Sequence, residues 1–342
     1  MFHALNAWRF IFALLIIWHH MPVAKPNNAD LGNPIVTFFF VLSGFLLTLA
    51  YREKLLNDTI TYKEFVIKRV ATIFPLQWLF TILFVCCSIG IVTYWAVPFH
   101  LSLTQSLIPL WEVNFTINTP SWFLSSIFIC YLLTPPVLKM TRERYVYVIL
   151  FVLALICWHS FLYVLPEDIG RRWLCYINPI ARLQNYGAGI LIALFWPDVE
   201  NVFKKVLNED TKTLYTLLEI IVIVLISISL FNLPILGINR YLSTGSIILD
   251  CFCCLFIIVF SIGKGAITQV LSLPIFGRLG KTAIAIYMSH GFVLHYAKPI
   301  YQESVLFYII VVYAITIVFS ILLESYYCRY TKQALLRVLN QR

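Results

Sequence analysis

The chain has 342 residues, of which 61% are hydrophobic, 16% aromatic and only 12% charged, with a formal net charge of +9. Its mean hydropathy is +0.85, and a soluble globule of this size cannot hide so much apolar surface while keeping its exterior wet. That balance excludes an intrinsically disordered chain, a nucleic-acid module and a secreted disulfide scaffold, and its apolar runs are too long and too unbroken for barrel strands.

The remaining class is an all-α polytopic membrane protein. Ten spans are expected, at about 5–21, 34–51, 74–96, 121–138, 145–163, 174–196, 214–232, 246–262, 282–297 and 304–323. The first ends in Trp18-His19-His20-Met21-Pro22 without a small-residue cleavage site, so it reads as retained rather than as a signal peptide. Residues 52–73 form a basic, amphipathic stretch, expected as a helix along the inner surface. The connection 97–120 has no Lys or Arg and is expected to form a cap of short helices or a re-entrant segment. No internal repeat is visible, and every connection is short, so residues 1–342 read as one integral-membrane domain.

Charge sets the expected orientation. Of the 25 Lys and Arg, 19 fall in the connections that share a side with the N-terminus. Five (Lys25, Arg171, Arg172, Arg240 and Lys298) fall on the other side, and Arg182 lies within a span. The positive-inside rule then places both termini in the cytoplasm. The nine cysteines lie mostly within apolar spans without paired CxxC spacing, which points to buried structural thiols rather than disulfides or a metal.

Ionisable residues inside spans are costly and therefore candidates for function. Arg9 and His20 are eleven residues apart, which brings them within about 20° of one helix face and about 16 Å apart along the axis. Such a face suits a long ligand with an anionic head and a reactive tip; an interfacial Arg and an interfacial His at opposite ends are the bland alternative. His19 points about 100° away from His20, so the pair does not chelate a metal, and none is expected. Ser43 and Gly44 allow close helix contact and hydrogen bonding inside the membrane. Lys68 and Arg69, at the entrance to the third span, suit either a phosphate or anionic lipid headgroups. Arg182 could bind a substrate or pair structurally with Asp250.

"WRFIFALLIIWHH", "FFFVLSGFLL", "FVIKRVATIFPLQW" and "LGKTAIAIYMSHGFVL" resemble, in order, signatures of the acyltransferase-3 family, bacterial integral-membrane enzymes that usually O-acylate envelope glycans. "WFLSSIFICYLLTPPVL" from Trp122, "RLQNYGAGILIA" from Arg182 and Glu324 resemble three further elements, so the likeness runs from residue 5 to about 325. It departs from the family pattern at Thr72, where an arginine is usual, at Ile127 and Asn185, where glutamates are usual, and after Glu324, where no proline follows.

The resemblance implies acyl-CoA, most simply acetyl-CoA, as co-substrate with no bound cofactor. The acceptor it implies is a sugar hydroxyl of a cell-surface polysaccharide or lipid-linked glycan. Arg9, Lys68, Arg69 and Ser43 would hold the donor, with His20 and Arg9 catalytic. His20 would act as general base or as nucleophile. Trp122, Ser125, Tyr131, Arg182 and His290 would line the cavity or meet the acceptor. Trp111, Asn114 and Asn118 in or beside the 97–120 connection are further sugar-facing candidates. The expected location is the bacterial inner membrane, with the lipid bilayer as the only other partner and no nucleic acid. The competing reading is a flippase for a lipid-linked sugar, which would need no histidine aligned with a cationic entrance and more often shows repeats and broken helices.

Overall fold

Residues 2–25, 30–87, 93–164, 173–206, 212–231 and 247–340 are described by a computed structural model, and every regular element among them is helical. The first three helices are α1 (His3–His20), α2 (Gly32–Leu56) and α3 (Tyr62–Cys86). After α4 (Val97–Ser102) and α5 (Trp111–Phe115) come α6 (Trp122–Met140), α7 (Arg144–Val164), α8 (Pro179–Leu194) and α9 (Trp196–Val206). The remainder are α10 (Lys212–Leu230), α11 (Ile247–Ile262), α12 (Ala266–Leu271), α13 (Pro274–Leu279), α14 (Ala283–Glu303), α15 (Val305–Leu322) and α16 (Arg329–Asn340).

Each of the ten expected spans coincides at least in part with one of these helices. Among the described residues, six stretches are long and apolar enough to cross a membrane: Gly32–Leu56, Tyr62–Cys86, Thr119–Met140, Arg144–Val164, Lys212–Leu230 and Val305–Val338. The shorter α11, at 16 residues, is also apolar. Arg171, Arg172 and Arg240, three of the five cations counted on one side, lie outside the described residues.

The stretch 52–73 is not a separate surface helix. It is the end of α2, a turn, and the first half of α3. The turn is fixed by a capping box: the Glu64 amide donates to Thr61 Oγ1 at 3.2 Å and the Thr61 amide donates to Glu64 Oε2 at 2.7 Å. The Thr61 hydroxyl also donates to Glu64 Oε2, at 2.9 Å. The third span accordingly starts at Tyr62 and ends at Cys86, earlier at both ends than the apolar run suggests, with Pro75 inside it. The 97–120 connection does form a cap of short helices.

Helices sort into two layers. The most apolar window of α2 is 72% buried, whereas that of α7 is 6% buried and leaves its side chains to the surroundings. The innermost seam joins α2 to α8 through glycine. A Cβ on Gly44 would lie 2.1 Å from the Tyr186 carbonyl oxygen, and one on Gly189 would lie 1.9 Å from that of Val41. The two backbones touch there, as small residues permit between membrane helices.

Polar latches set smaller elements. The buried Glu219 carboxylate on α10 accepts from the Ile267 and Thr268 amides at 2.9 and 3.2 Å, satisfying donors of the first turn of α12. At the far end of the chain, α15 passes through a π-type turn, Leu323–Cys328, into α16, where Tyr327 donates to the Pro75 carbonyl at 3.0 Å.

Candidate functional site

Arg9 stands in the wall of two cavities. One, of about 260 Å³, lies among α1, α2, α3, α6 and α14; Ser43, Arg69, Thr72, Ile127 and Tyr131 line it beside Arg9. Four of the positions singled out in sequence (Arg9, Ser43, Arg69 and Tyr131) therefore converge, together with Thr72 and Ile127, two of the departures from the family pattern. Arg69 Nη2 donates to the Tyr51 hydroxyl at 3.0 Å, and its guanidinium sits 5.2 Å from the Tyr51 ring and 6.0 Å from that of Tyr131. Lys68 is exposed on α3 and lines neither cavity.

The second cavity, about 850 Å³, is ringed by Arg9, Arg278, Lys281, Arg329 and Lys332, with Glu324 as its carboxylate. Among the described residues, none of these five cations belongs to an ion pair. The sequence reading counted Arg278, Lys281, Arg329 and Lys332 only as charge. For Arg329 and Lys332 the signal in the sequence is the amphipathic, basic α16 that follows the last apolar span. Five cations around one hollow fit a polyanion.

Phe39, Phe123 and Tyr287 form an aromatic wall of the smaller cavity. Phe123 is 5.0 Å from Tyr287 and 6.1 Å from Phe39, centroid to centroid. Next along α14 is His290, 5.9 Å from Tyr287 and 4.9 Å from His20. His20 thus lines neither cavity, and Tyr287 and His290 stand between it and the smaller one. His20 Nδ1 lies 3.0 Å from the Ile16 carbonyl oxygen and His290 Nδ1 lies 3.3 Å from that of Ile286. A carbonyl only accepts, so both Nδ1 atoms carry a proton, and in the neutral ring Nε2 is then the acceptor. His290 Nε2 is buried without a partner, whereas His20 keeps accessible surface. His19 turns the other way, and a Cβ on Gly32 would lie 2.8 Å from its Nε2.

Three residues expected to line a cavity or meet the acceptor line neither of the two cavities at Arg9. Ser125 donates to the Leu103 carbonyl at 2.8 Å and accepts from the Ser106 amide at 3.1 Å, tying α6 to the cap. Trp122 packs on Tyr176, centroids 4.8 Å apart, and lies 5.8 Å from the Arg182 guanidinium. Arg182 is fully buried; its Nε donates to the Tyr176 carbonyl at 2.7 Å and its Nη1 to Asn185 Oδ1 at 3.0 Å. Its link to Asp250 runs through Asn185, whose Nδ2 donates to Asp250 Oδ1 at 2.7 Å, and is not a direct ion pair.

The cap amides are also committed to structure. Asn114 Nδ2 donates to the Ile108 and Leu110 carbonyls, and Asn118 Nδ2 to that of Met288, and both side chains are buried rather than presented to a sugar. Trp111 is exposed and stacks on Phe115 at 4.2 Å. His100 donates from Nε2 to the Val113 carbonyl at 2.7 Å and faces Ser121 Oγ from Nδ1 at 3.2 Å. Burial pushes its imidazole down to about 4, so it stays neutral.

A chain whose described elements are all helical, six of them long and apolar enough to cross a membrane, and in which two cavities share Arg9, has the architecture of a membrane protein. The acyltransferase-3 family model, described as an acyltransferase domain, matches residues 2–325. The chain belongs to that family, which makes an acyltransferase the activity it implies. No curated protein and no solved structure matches it significantly.

Proposed function

We propose that the protein is an O-acyltransferase that moves an acyl group, most simply acetyl, from acyl-CoA to a sugar hydroxyl of a cell-surface polysaccharide or lipid-linked glycan. The observation that carries this reading is the position of Arg9, shared by the cation-ringed cavity and the narrow one that leads toward His290 and His20. The phosphates of the donor would rest among Arg278, Lys281, Arg329 and Lys332, which replace Lys68 in that role. The pantetheine arm would pass Arg9 into the narrow cavity between Ser43 and Tyr131.

Movement of the Tyr287 and Phe123 rings would join that cavity to the histidines. His20 Nε2 would then take the proton of the sugar hydroxyl as its oxygen attacks the thioester carbonyl carbon. Collapse of the adduct breaks the carbon–sulfur bond, and the departing thiolate receives the proton from His20. With ten spans and both termini in the cytoplasm, the Arg9 end faces the cytoplasmic donor pool and the His20 end faces the opposite side of a bacterial inner membrane.

The test is purified protein supplied with labelled acetyl-CoA and a series of envelope glycans. Acceptor-dependent release of the coenzyme A thiol, with label in an alkali-labile ester, is the expected result. Folded protein that transfers from none of acetyl-, succinyl- or longer acyl-CoA would overturn the reading.

A further inference from the structure

The chain buries a complete guanidinium, and among the described residues no carboxylate pairs with it directly. Arg182, Asn185 and Asp250 are 0%, 1% and 5% exposed. The Asn185 amide stands between the other two, its oxygen toward the cation and its nitrogen toward the anion. Gln184 Nε2 donates to the second Asp250 oxygen at 2.7 Å, and His159 Nε2 lies 3.1 Å from Gln184 Oε1. A buried charge without compensation is strongly unfavourable, and the amide dipole transmits the compensation across one hydrogen-bonded link.

Two of the three guanidinium nitrogens are tied down, Nε by Tyr176 and Nη1 by Asn185, with Thr37 Oγ1 at 3.5 Å. The rings of Tyr176, Phe40 and Trp122 lie 4.6, 5.6 and 5.8 Å from the guanidinium carbon. Nη2 is buried with no partner. A donor left open in a fold that bonds the rest of the group so fully is one kept for an incoming oxygen.

We propose that Asp250 is the positioning residue of Arg182, acting through Asn185 to hold Nη2 ready for a carbonyl or hydroxyl oxygen during acyl transfer. The catalytic part rests on the acyltransferase reading; the charge compensation does not. Arg182 lines neither cavity at the Arg9 end, so the effect falls on turnover and spares donor binding.

The geometry offers a swap. Asp250→Asn with Asn185→Asp exchanges amide and carboxylate while keeping each link: Arg182 donates to Asp at 185, Asn at 250 donates to that same carboxylate, and Gln184 donates to the Asn oxygen. Asp250→Asn alone is expected to lower kcat at least about tenfold per folded molecule, with the Michaelis constant for acetyl-CoA within about twofold. The double variant is expected to return to within about threefold of the parent. Parental turnover in Asp250→Asn, or a double variant no better than that single one, would overturn the proposal. Thermal unfolding in detergent reads the charge relation without any acyl transfer. If Asp250→Asn is poorly recovered, adding Arg182→Met should restore folded yield, and failure to do so would overturn the pairing even if no acyl donor is ever found.

Discussion

The two ends of the bundle treat polar groups in opposite ways. At the Arg9 end, five cations ring a hollow of about 850 Å³ and none forms an ion pair with another described residue. At the cap, the ring nitrogens of His100, the amide nitrogens of Gln105, Asn114 and Asn118 and the hydroxyl of Ser125 are engaged with backbone or neighbouring side chains, and the atoms left open there are neutral, the buried oxygens of those three amides. Charge without partners is costly unless a ligand or water completes it, whereas satisfied dipoles fix shape. One end therefore leaves its charges unpaired, and the other fastens the helices that flank the histidines.

The largest expected effect separates two adjacent histidines at the capped end. His20→Ala should abolish acyl transfer while membrane insertion and yield persist, since its side chain keeps accessible surface and its Nδ1 bond to Ile16 leaves Nε2 for the reaction. His19→Ala should retain substantial activity, because its ring packs against Gly32. Turnover assays on both purified variants decide the matter; equal loss would mean that the reactive member of the pair is misassigned.

At the open end, Arg9→Ala should raise the Michaelis constant for acyl-CoA about tenfold to a hundredfold, as expected for losing a charge-assisted contact of roughly 1.5–3 kcal/mol. Lys332→Ala should raise it only a few-fold, with the effect shrinking as salt is added, because an exposed cation is screened. Donor titrations at two ionic strengths would show this, and unchanged donor affinity in both variants would erase the contrast between the ends.

The smallest effect belongs to the cap. Ser125→Ala leaves the Ser106 amide without its acceptor and should cost about 1–3 kcal/mol of stability, visible as a lower unfolding temperature in detergent. Its kcat/KM per folded molecule should stay within about twofold of the parent. A large catalytic loss at unchanged unfolding temperature would instead put Ser125 at the reacting atoms.

Much of this was legible in the sequence, and the reasons differ by residue. Apolar runs located the helices, because lipid forces backbone hydrogen bonds into them. The boundary at Tyr62 escaped because hydropathy follows side chains, while Thr61 and Glu64 stop and restart the helix through two backbone hydrogen bonds. Arg9, Ser43, Arg69 and Tyr131 could be brought together by motif order. Arg278 and Lys332 could not, since only folding brings α13 and α16 to one hollow. Polarity alone also misread Asn114 and Ser125: a side chain that suits a sugar equally suits a neighbouring carbonyl, and only the geometry distinguishes them.

The touching backbones of α2 and α8 carry a historical consequence. A first methyl group on Gly44 or Gly189 would overlap a carbonyl oxygen, which no rotamer change relieves, since the obstacle is the main chain itself. Descent by small steps is closed at those two positions, and a lineage that left glycine there would have to re-space both helices in one move. On α7, whose most apolar window is 6% buried, one apolar residue can replace another with almost nothing to displace. Relatives of this chain should therefore drift along α7 and stand still at the seam.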